Sequence, residues 1–436
     1  MYLVGSNASR LPSRQPLKRI LVIAYHFPPQ SGSSGSLRTL KFVRYLPEVG
    51  WLPTVLTAHP RVYERVDLAQ LREIPREVKV IRAFALDSRQ HLSIRGKYPW
   101  WLALPDRWAT WFLGAVLSGL HAIRHDDIDV IYSTSPIPTA VAIGWFLHRL
   151  THKPWIVDFR DPMVEDNYPR DARVRTVNRW FESKAARCAS MLLFTTPGTR
   201  KMYLERYSSR VPESCRVVHN GYDEEDFKDL VFDNRLSDDR PLRLLHAGLI
   251  YPEARDPRPL FRALGRLKSK GIIDIQKLRI DLRASGIEAY LQSLLDQEGI
   301  ADIVNLLPPL PYREALQDAA NSDALLLLQG ASCNHQIPAK AYEYMRLGRP
   351  ILALTPLESD TASVLREAGG ATIINLADEA TIYETLPKFL AVVREGKHPV
   401  SEPASFEKHQ RRNQALQLAP ILHELLEQPT HQKVQF

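Results

Sequence analysis

Lys340 and Glu343 lie three residues apart in "CNHQIPAKAYEYMRLGRPILAL", residues 333–354, between Pro338 and Gly348. A proline suits a helix start and a glycine its end, so a short helix is expected between them. The N–H groups of Ala339 and Lys340 would then be open to a phosphate, with the Lys340 ammonium beside them. Glu343 falls one turn in, where its carboxylate can accept bonds from two neighbouring hydroxyls, as on a ribose. On an isolated helix the same pair reads as a solvated ion pair, so its surroundings must decide.

Four other segments carry residue types suited to ligand chemistry. "WIVDFRDP" places Asp158, Arg160 and Asp161 after an apolar run, able to bind a polar substrate or to cap the next segment. In "AYHFPPQSGSSGS" the serine-embedded Gly32 and Gly35, with Ser34 between them, let backbone approach an anion. That loop is neither a Walker A sequence nor GxGxxG. "LLHAGLIYPEARDPRPLFRAL" offers a tight exit at Gly248, then Arg255 and Arg258 near a helix start where a diphosphate can sit. Asn220 and Gly221 in "VVHNGYDEEDF" are a turn signal.

These segments need a scaffold, and the chain supplies one. Apolar runs such as "RILVIAY", "DVIYST" and "PWIVDF", then "LRLLHAG", "DALLLLQ" and "PILAL", alternate with helical patterns. Runs of that kind are parallel strands covered on both faces, so the fold class is α/β. About seven strands precede the acidic stretch 223–241 and six follow it, which predicts two Rossmann-like doubly wound parallel-sheet domains facing across a cleft. The expected divisions are a flexible basic leader over 1–17, a first Rossmann-like domain over 18–235, a second over 236–400, and a C-terminal helix over 401–436 packing back on the first domain. In such sheets ligands bind at the carboxyl ends of strands, and with two of them the natural site is the cleft.

Composition narrows the classes. The formal charge of the 436-residue chain is +8, and residues 1–60 hold seven Arg or Lys against Glu48 alone, a local +6. That excess suits an anionic membrane or a phosphate-bearing substrate, or else is a basic leader with one solvated helix face. It carries no aromatic-interleaved patch, so no nucleic-acid partner is expected. Cys188, Cys215 and Cys333 show neither CxxC pairing nor zinc spacing, which argues for a reducing compartment without disulfides or zinc. No signal peptide is read at the start, and "WATWFLGAVLSGLHAI", 108–123, is too short to cross a bilayer.

In sequence order these five segments resemble the retaining glycosyltransferases of family 4, which have the GT-B fold. "VVHNGYDEEDF" resembles that family's V-x-N-G-V/Y-D-x-x-x-F. "IPAKAYEYMRLGRPILAL" is similar to its P-x-K-x-x-E-Y-x-A-x-G-x-P-I-L helix, and "FPPQSGSSGS" to its PP-x-x-G-G loop. "STSPIPTA" and "VDFRDP" resemble more narrowly a subgroup met in bacterial exopolysaccharide and capsule assembly. The resemblance implies a nucleotide-sugar donor and a glycan or lipid-linked acceptor. It implies donor contacts from Gly248, Arg255, His335, Ile337, Pro338, Lys340 and Glu343, with Glu343 on the ribose and Arg255 and Lys340 on the diphosphate. Gly32, Ser34, Gly35 and Asn220 would line the phosphate and acceptor loop, and Asp158, Arg160 and Asp161 would serve the transfer step. No cofactor and no metal is expected, because cations and helix N-termini stabilise the leaving diphosphate.

Two positions depart from the family pattern. His335 stands where a sugar-contacting glutamate is usual, separated from Glu343 by seven residues, so the family's sugar preference does not carry over. Arg160 replaces a histidine near the donor, leaving Asp158 or Asp161 to take that role. Helix 106–124 has an apolar face in Trp108, Trp111, Phe112, Ala115, Val116, Gly119, Leu120 and Ile123, expected as core. Trp100, Trp101, Leu113 and Leu117 exceed that face and suggest a surface resting on the cytoplasmic leaflet, hence a cytoplasmic, peripheral enzyme. The rival readings are a nucleotide-sugar 2-epimerase and a non-catalytic descendant that binds a nucleotide-sugar as an assembly partner.

Overall fold

The computed structural model describes residues 17–30, 34–165, 168–232 and 240–427. The first sheet contains β1 (Lys18–Ile23), β2 (Trp51–Ala58), β3 (Lys79–Ala83), β4 (Val130–Thr134), β5 (Trp155–Phe159), β6 (Met191–Phe194) and β7 (Cys215–Val217). The second contains β8 (Leu242–Ala247), β9 (Leu278–Arg283), β10 (Val304–Leu307), β11 (Ala324–Leu328), β12 (Ile351–Leu354) and β13 (Ala371–Ile374). Their orders are β3-β2-β1-β4-β5-β6-β7 and β10-β9-β8-β11-β12-β13. Strands pair in parallel throughout, as in β1 with β4 and β8 with β11. This is the seven-plus-six arrangement that the apolar runs predict. β4, β5, β6, β11 and β12 are buried at every position, because helices cover both faces.

The 235/236 domain boundary, the leader up to residue 16 and Gly32 lie outside the described residues. After the second sheet the chain returns to the first domain. The C-terminal helix (Arg411–Glu427) packs Leu418, Leu422 and Leu425 against Ile20, Leu40 and Val43. At the crossing, Tyr222 and Gln410 form a parallel bridge, and the Arg411 N–H donates to the Tyr222 carbonyl at 2.8 Å. A Cβ on Gly221 would lie 1.7 Å from the His409 carbonyl, so the turn residue of "HNGY" must be glycine for the two segments to cross.

Two expectations shift slightly. The apolar helix runs over Trp111–His125 and not 106–124, with Trp111, Ala115, Val116, Gly119, Ala122 and Ile123 buried. Of the basic residues in 1–60, Arg38 and Lys41 are 1% and 2% exposed and held in ion pairs, so they add nothing to a basic surface.

Candidate active site

In each sheet the strand order reverses beside its first strand, between β1 and β4 and between β8 and β11. The crevices at the carboxyl ends of those strands are where doubly wound sheets bind ligands. On the second domain three loops meet there. Gly248 follows β8 at φ +120°, a conformation open to glycine, and a Cβ on it would lie 2.9 Å from Lys340 Nζ. Lys340 comes from the donor helix (Ala339–Leu347), whose N-terminus has no side-chain cap. Pro338 is the residue just before that helix and not its first helical one, and Gly348 ends it at φ 62°.

Lys340 is held by an imidazole that sequence reasoning missed. His246, fully buried on β8, places Nδ1 2.9 Å from the Leu326 carbonyl and Nε2 3.3 Å from Lys340 Nζ. A carbonyl only accepts, so Nδ1 carries the proton and Nε2 is left to accept from the ammonium. Burial and the Lys340 charge hold His246 well below the usual histidine range, hence neutral. Burial, then repulsion from Arg255, lowers Lys340 itself to about 7, while Glu343 pulls the other way. Arg255 donates to the Leu249 carbonyl at 2.8 Å, and its Nε is buried without a partner. The result is a pair of under-neutralised cations over a glycine turn, an environment that a diphosphate would satisfy. Glu343 accepts from Tyr312 Oη at 2.9 Å, and burial raises its carboxyl above the ordinary range. Arg258, by contrast, stays at the surface paired with Asp256 at 2.6 Å.

On the first domain the trio at the end of β5 divides. Asp158, 1% exposed, is fully engaged: Arg38 Nε and Nη2 donate at 2.9 and 3.0 Å and Tyr132 Oη at 2.6 Å. Arg38 also holds the Val218 and His219 carbonyls at 3.0 and 2.7 Å, so the pair anchors the helix Ser34–Tyr45 to β5 and the approach to the hinge. The oxygens of Asp158 are thus engaged within the domain, unlike the open carboxylate that the expected part in the transfer step calls for. Arg160 spends Nη1 on the Gly35 carbonyl at 2.8 Å and leaves Nε buried without a partner. Asp161 accepts no hydrogen bond from the described residues; burial raises its carboxyl, and Arg160 draws it back.

Three further residues of the expected site have partners within the protein. Ile337 is 7% exposed and packs with Ala341 and Tyr342, so its side chain belongs to the core. Asn220 turns its Oδ1 to Arg411 Nη1 at 3.1 Å, fixing the C-terminal crossing. His335 reaches across the cleft, where Nε2 lies 3.5 Å from Glu165 Oε1, and that carboxylate raises the histidine's pKa. The His335 carbonyl accepts from Thr196 and Thr199 at 2.6 and 2.8 Å, and the Gly198 N–H donates to Asp360 at 2.9 Å. Those contacts close the two domains on each other. His26, just past β1, is a further polar group that sequence reasoning missed; burial, then Arg160, lowers it to about 4. Its place directly after the first strand was the available signal.

Two domains of this topology, joined by a hinge and crossed by a C-terminal helix, are the GT-B architecture. Residues 33–221 match the family model described as the glycosyl transferase 4-like domain, and the fold around them is GT-B. Among curated proteins none matches the chain. Solved structures share the fold over nearly the whole chain. A glycosyltransferase from Rickettsia africae superposes with a TM-score of 0.64 at 10% identity, covering 95% of this chain and 100% of that one. HepE of Anabaena, in complex with UDP and glucose, gives 0.63 at 14% identity, with coverages of 93% and 100%. A proposed UDP-N-acetylglucosamine 2-epimerase from Listeria monocytogenes gives 0.57 at 13%, with coverages of 96% and 100%.

Proposed function

We propose that the protein is a retaining glycosyltransferase that moves a sugar from a nucleotide-diphosphate sugar to a glycan or lipid-linked acceptor, in the assembly of a bacterial surface polysaccharide. The observation that carries this reading is the convergence of Lys340 and Arg255 on the Gly248 turn, with Glu343 one helical turn away. The cations would neutralise the diphosphate and Glu343 would hold the ribose hydroxyls. The family 4-like match of the first domain supports it.

In the transfer, the bond from the sugar's anomeric carbon to the donor phosphate breaks as one to the acceptor oxygen forms on the same face. The nucleoside diphosphate leaves with its charge stabilised by Lys340 and Arg255. The acceptor hydroxyl's proton passes to the departing phosphate oxygen, with Asp161 orienting that hydroxyl. Metal-independent turnover is part of the proposal, so EDTA should leave the rate unchanged. Exposed Trp100, Trp101, Leu113 and Leu117, 55–71% accessible, support a peripheral site of action at the cytoplasmic face of the membrane.

Thermal-shift titration with UDP-, GDP- and ADP-sugars tests the donor reading. Stabilisation by one of them that Glu343→Ala abolishes supports it, and no response to any of them sinks it. The likeness to the proposed Listeria epimerase keeps one rival in play. Release of a C2-epimerised nucleotide-sugar without any acceptor would establish that rival instead.

A further inference from the structure

Four cationic side chains among the described residues are at least nine-tenths buried: Arg38, Lys41, Arg283 and Arg411. Three hold a carboxylate, Asp158 at 2.9 Å, Asp223 at 2.8 Å and Asp318 at 2.6 Å respectively. Arg411, 4% exposed, has only neutral acceptors: Nη1 donates to Asn220 Oδ1 at 3.1 Å and to Gln414 Oε1 at 3.2 Å. A guanidinium shut away from water with no counter-charge is unfavourable unless something supplies one. Burial, then repulsion from Arg38 and Arg160, draws Arg411 down to about 10, while Tyr312 and Tyr342 act in the opposite sense. Glu343 feels Arg411 too, yet its carboxyl is bonded to Tyr312 and forms no ion pair with it.

Arg411 opens the C-terminal helix, fixed by its own N–H on the Tyr222 carbonyl at 2.8 Å, so its place at the base of the cleft is set by backbone. Arg38 links it to Arg160: Arg38 holds the His219 carbonyl, next to the Asn220 that Arg411 touches, at 2.7 Å and Asp158, two residues before Arg160, at 2.9 Å, and Arg160 has a buried Nε without a partner. Asp161 and Asp158 balance Arg160 in part, whereas the carboxylate that acts on Arg411, Glu343, is bonded to Tyr312 and forms no ion pair with it. The geometry points to a second anion site in the cleft, where Arg411 and Arg160 take a phosphoryl group of the acceptor. This site is separate from the Lys340–Arg255 pair that takes the donor's diphosphate. Two guanidinium forks suit a phosphoryl dianion better than two ammonium groups do, because each fork offers parallel donors. The inference rests on the donor-site reading for the word acceptor, but not for the anion itself.

Isothermal titration of the full chain with inorganic phosphate, alone and with UDP present, tests it. Wild type is expected to bind phosphate in both conditions. Arg411→Gln should weaken that binding about tenfold or more, as loss of a charged hydrogen bond implies, while UDP affinity changes less than twofold. Arg160→Gln should do the same, and it serves alone if Arg411→Gln does not fold, as judged by its melting. Phosphate excluded by UDP, or UDP binding that falls in step with phosphate binding in Arg411→Gln, would place Arg411 in the donor site and overturn the proposal. Phosphate binding indifferent to both arginines would overturn it as well. If phosphate binds through Arg411 and no nucleoside diphosphate binds at all, the anion site stands and the donor reading falls.

Discussion

The strand end at Asp158 and the helix start at Lys340 use the same kinds of residue to opposite ends. After β5 an acid and an arginine meet in a closed, bidentate pair that leaves neither with a free polar atom toward the cleft. At the helix Ala339–Leu347 the cations Lys340 and Arg255 lie near each other, hydrogen-bonded to a neutral imidazole and a carbonyl and forming no ion pair among the described residues. The first arrangement is satisfied without a ligand and the second is not. A charged side chain at a strand's carboxyl end is therefore informative in proportion to what its neighbours leave unsatisfied.

The sharpest way to break this contrast is to neutralise the two aspartates of "DFRD" separately. Asp158→Ala should cost about 3–5 kcal/mol of folding stability, because it strands the buried Arg38 guanidinium. Asp161→Asn should change stability by less than about 1 kcal/mol, since no hydrogen bond depends on it, and should instead lower kcat. Denaturant melts beside turnover measurements decide. Equal stability losses would mean that the two carboxylates do not differ as described.

On the donor side, Glu343→Ala should weaken binding of the preferred nucleoside diphosphate about 10- to 100-fold, the range expected for hydrogen bonds to a charged acceptor. The Tyr312 hydroxyl, which burial shields from water, loses its partner, so stability should fall by about 1 kcal/mol alongside the much larger loss of binding. Tight binding by the variant would return Glu343 to the role of a surface acid.

Lys340 gives a smaller and pH-dependent effect. Its free-state pKa of about 7 lies below the ordinary lysine value, and a bound diphosphate would raise it. Binding then takes up a proton above pH 7, so affinity should fall as pH rises from 7 to 9, by at most about tenfold per unit. Calorimetry in buffers of different ionisation enthalpy would register that uptake, and Lys340→Met should flatten the slope. A slope unchanged in Lys340→Met would assign the titration elsewhere.

Much of the fold was legible because strands buried on both faces must be apolar throughout, and runs such as "ALLLL" and "WIVDF" satisfy no other arrangement as well. The donor helix was legible because its proline, lysine, glutamate and glycine sit within eleven residues. The engagement of Asp158 was not legible because its partner Arg38 lies 120 residues away, and no local pattern reveals a pairing of that span. The same holds for His246, an unremarked residue within a strand until Lys340 is folded over it. Arg411 was beyond reach for a different reason: its significance lies in having neutral acceptors where the other buried cations hold a carboxylate, which only the assembled hinge makes visible.

The smallest effect concerns the outer surface of the first domain, where the apolar helix differs from the donor helix in having one face too many. Trp111, Ala115 and Val116 are buried, whereas Leu113 and Leu117 are 71% and 70% exposed. Ile94, Trp100 and Trp101 are exposed as well, with Arg95 and Lys97 in the same segment and Arg173 4.9 Å from the Trp100 ring. Since Arg38 and Lys41 are tied up inside, the charge described in this region comes from those outer residues. Binding to anionic liposomes at low salt should therefore be modest and lost at high salt. The double change Leu113→Ser and Leu117→Ser should reduce it several-fold without altering the melt, because neither side chain supports the core. Equal recovery of wild type in the supernatant at both salt concentrations would assign these leucines no role at a membrane, and the contrast between the two helices would then be one of packing alone.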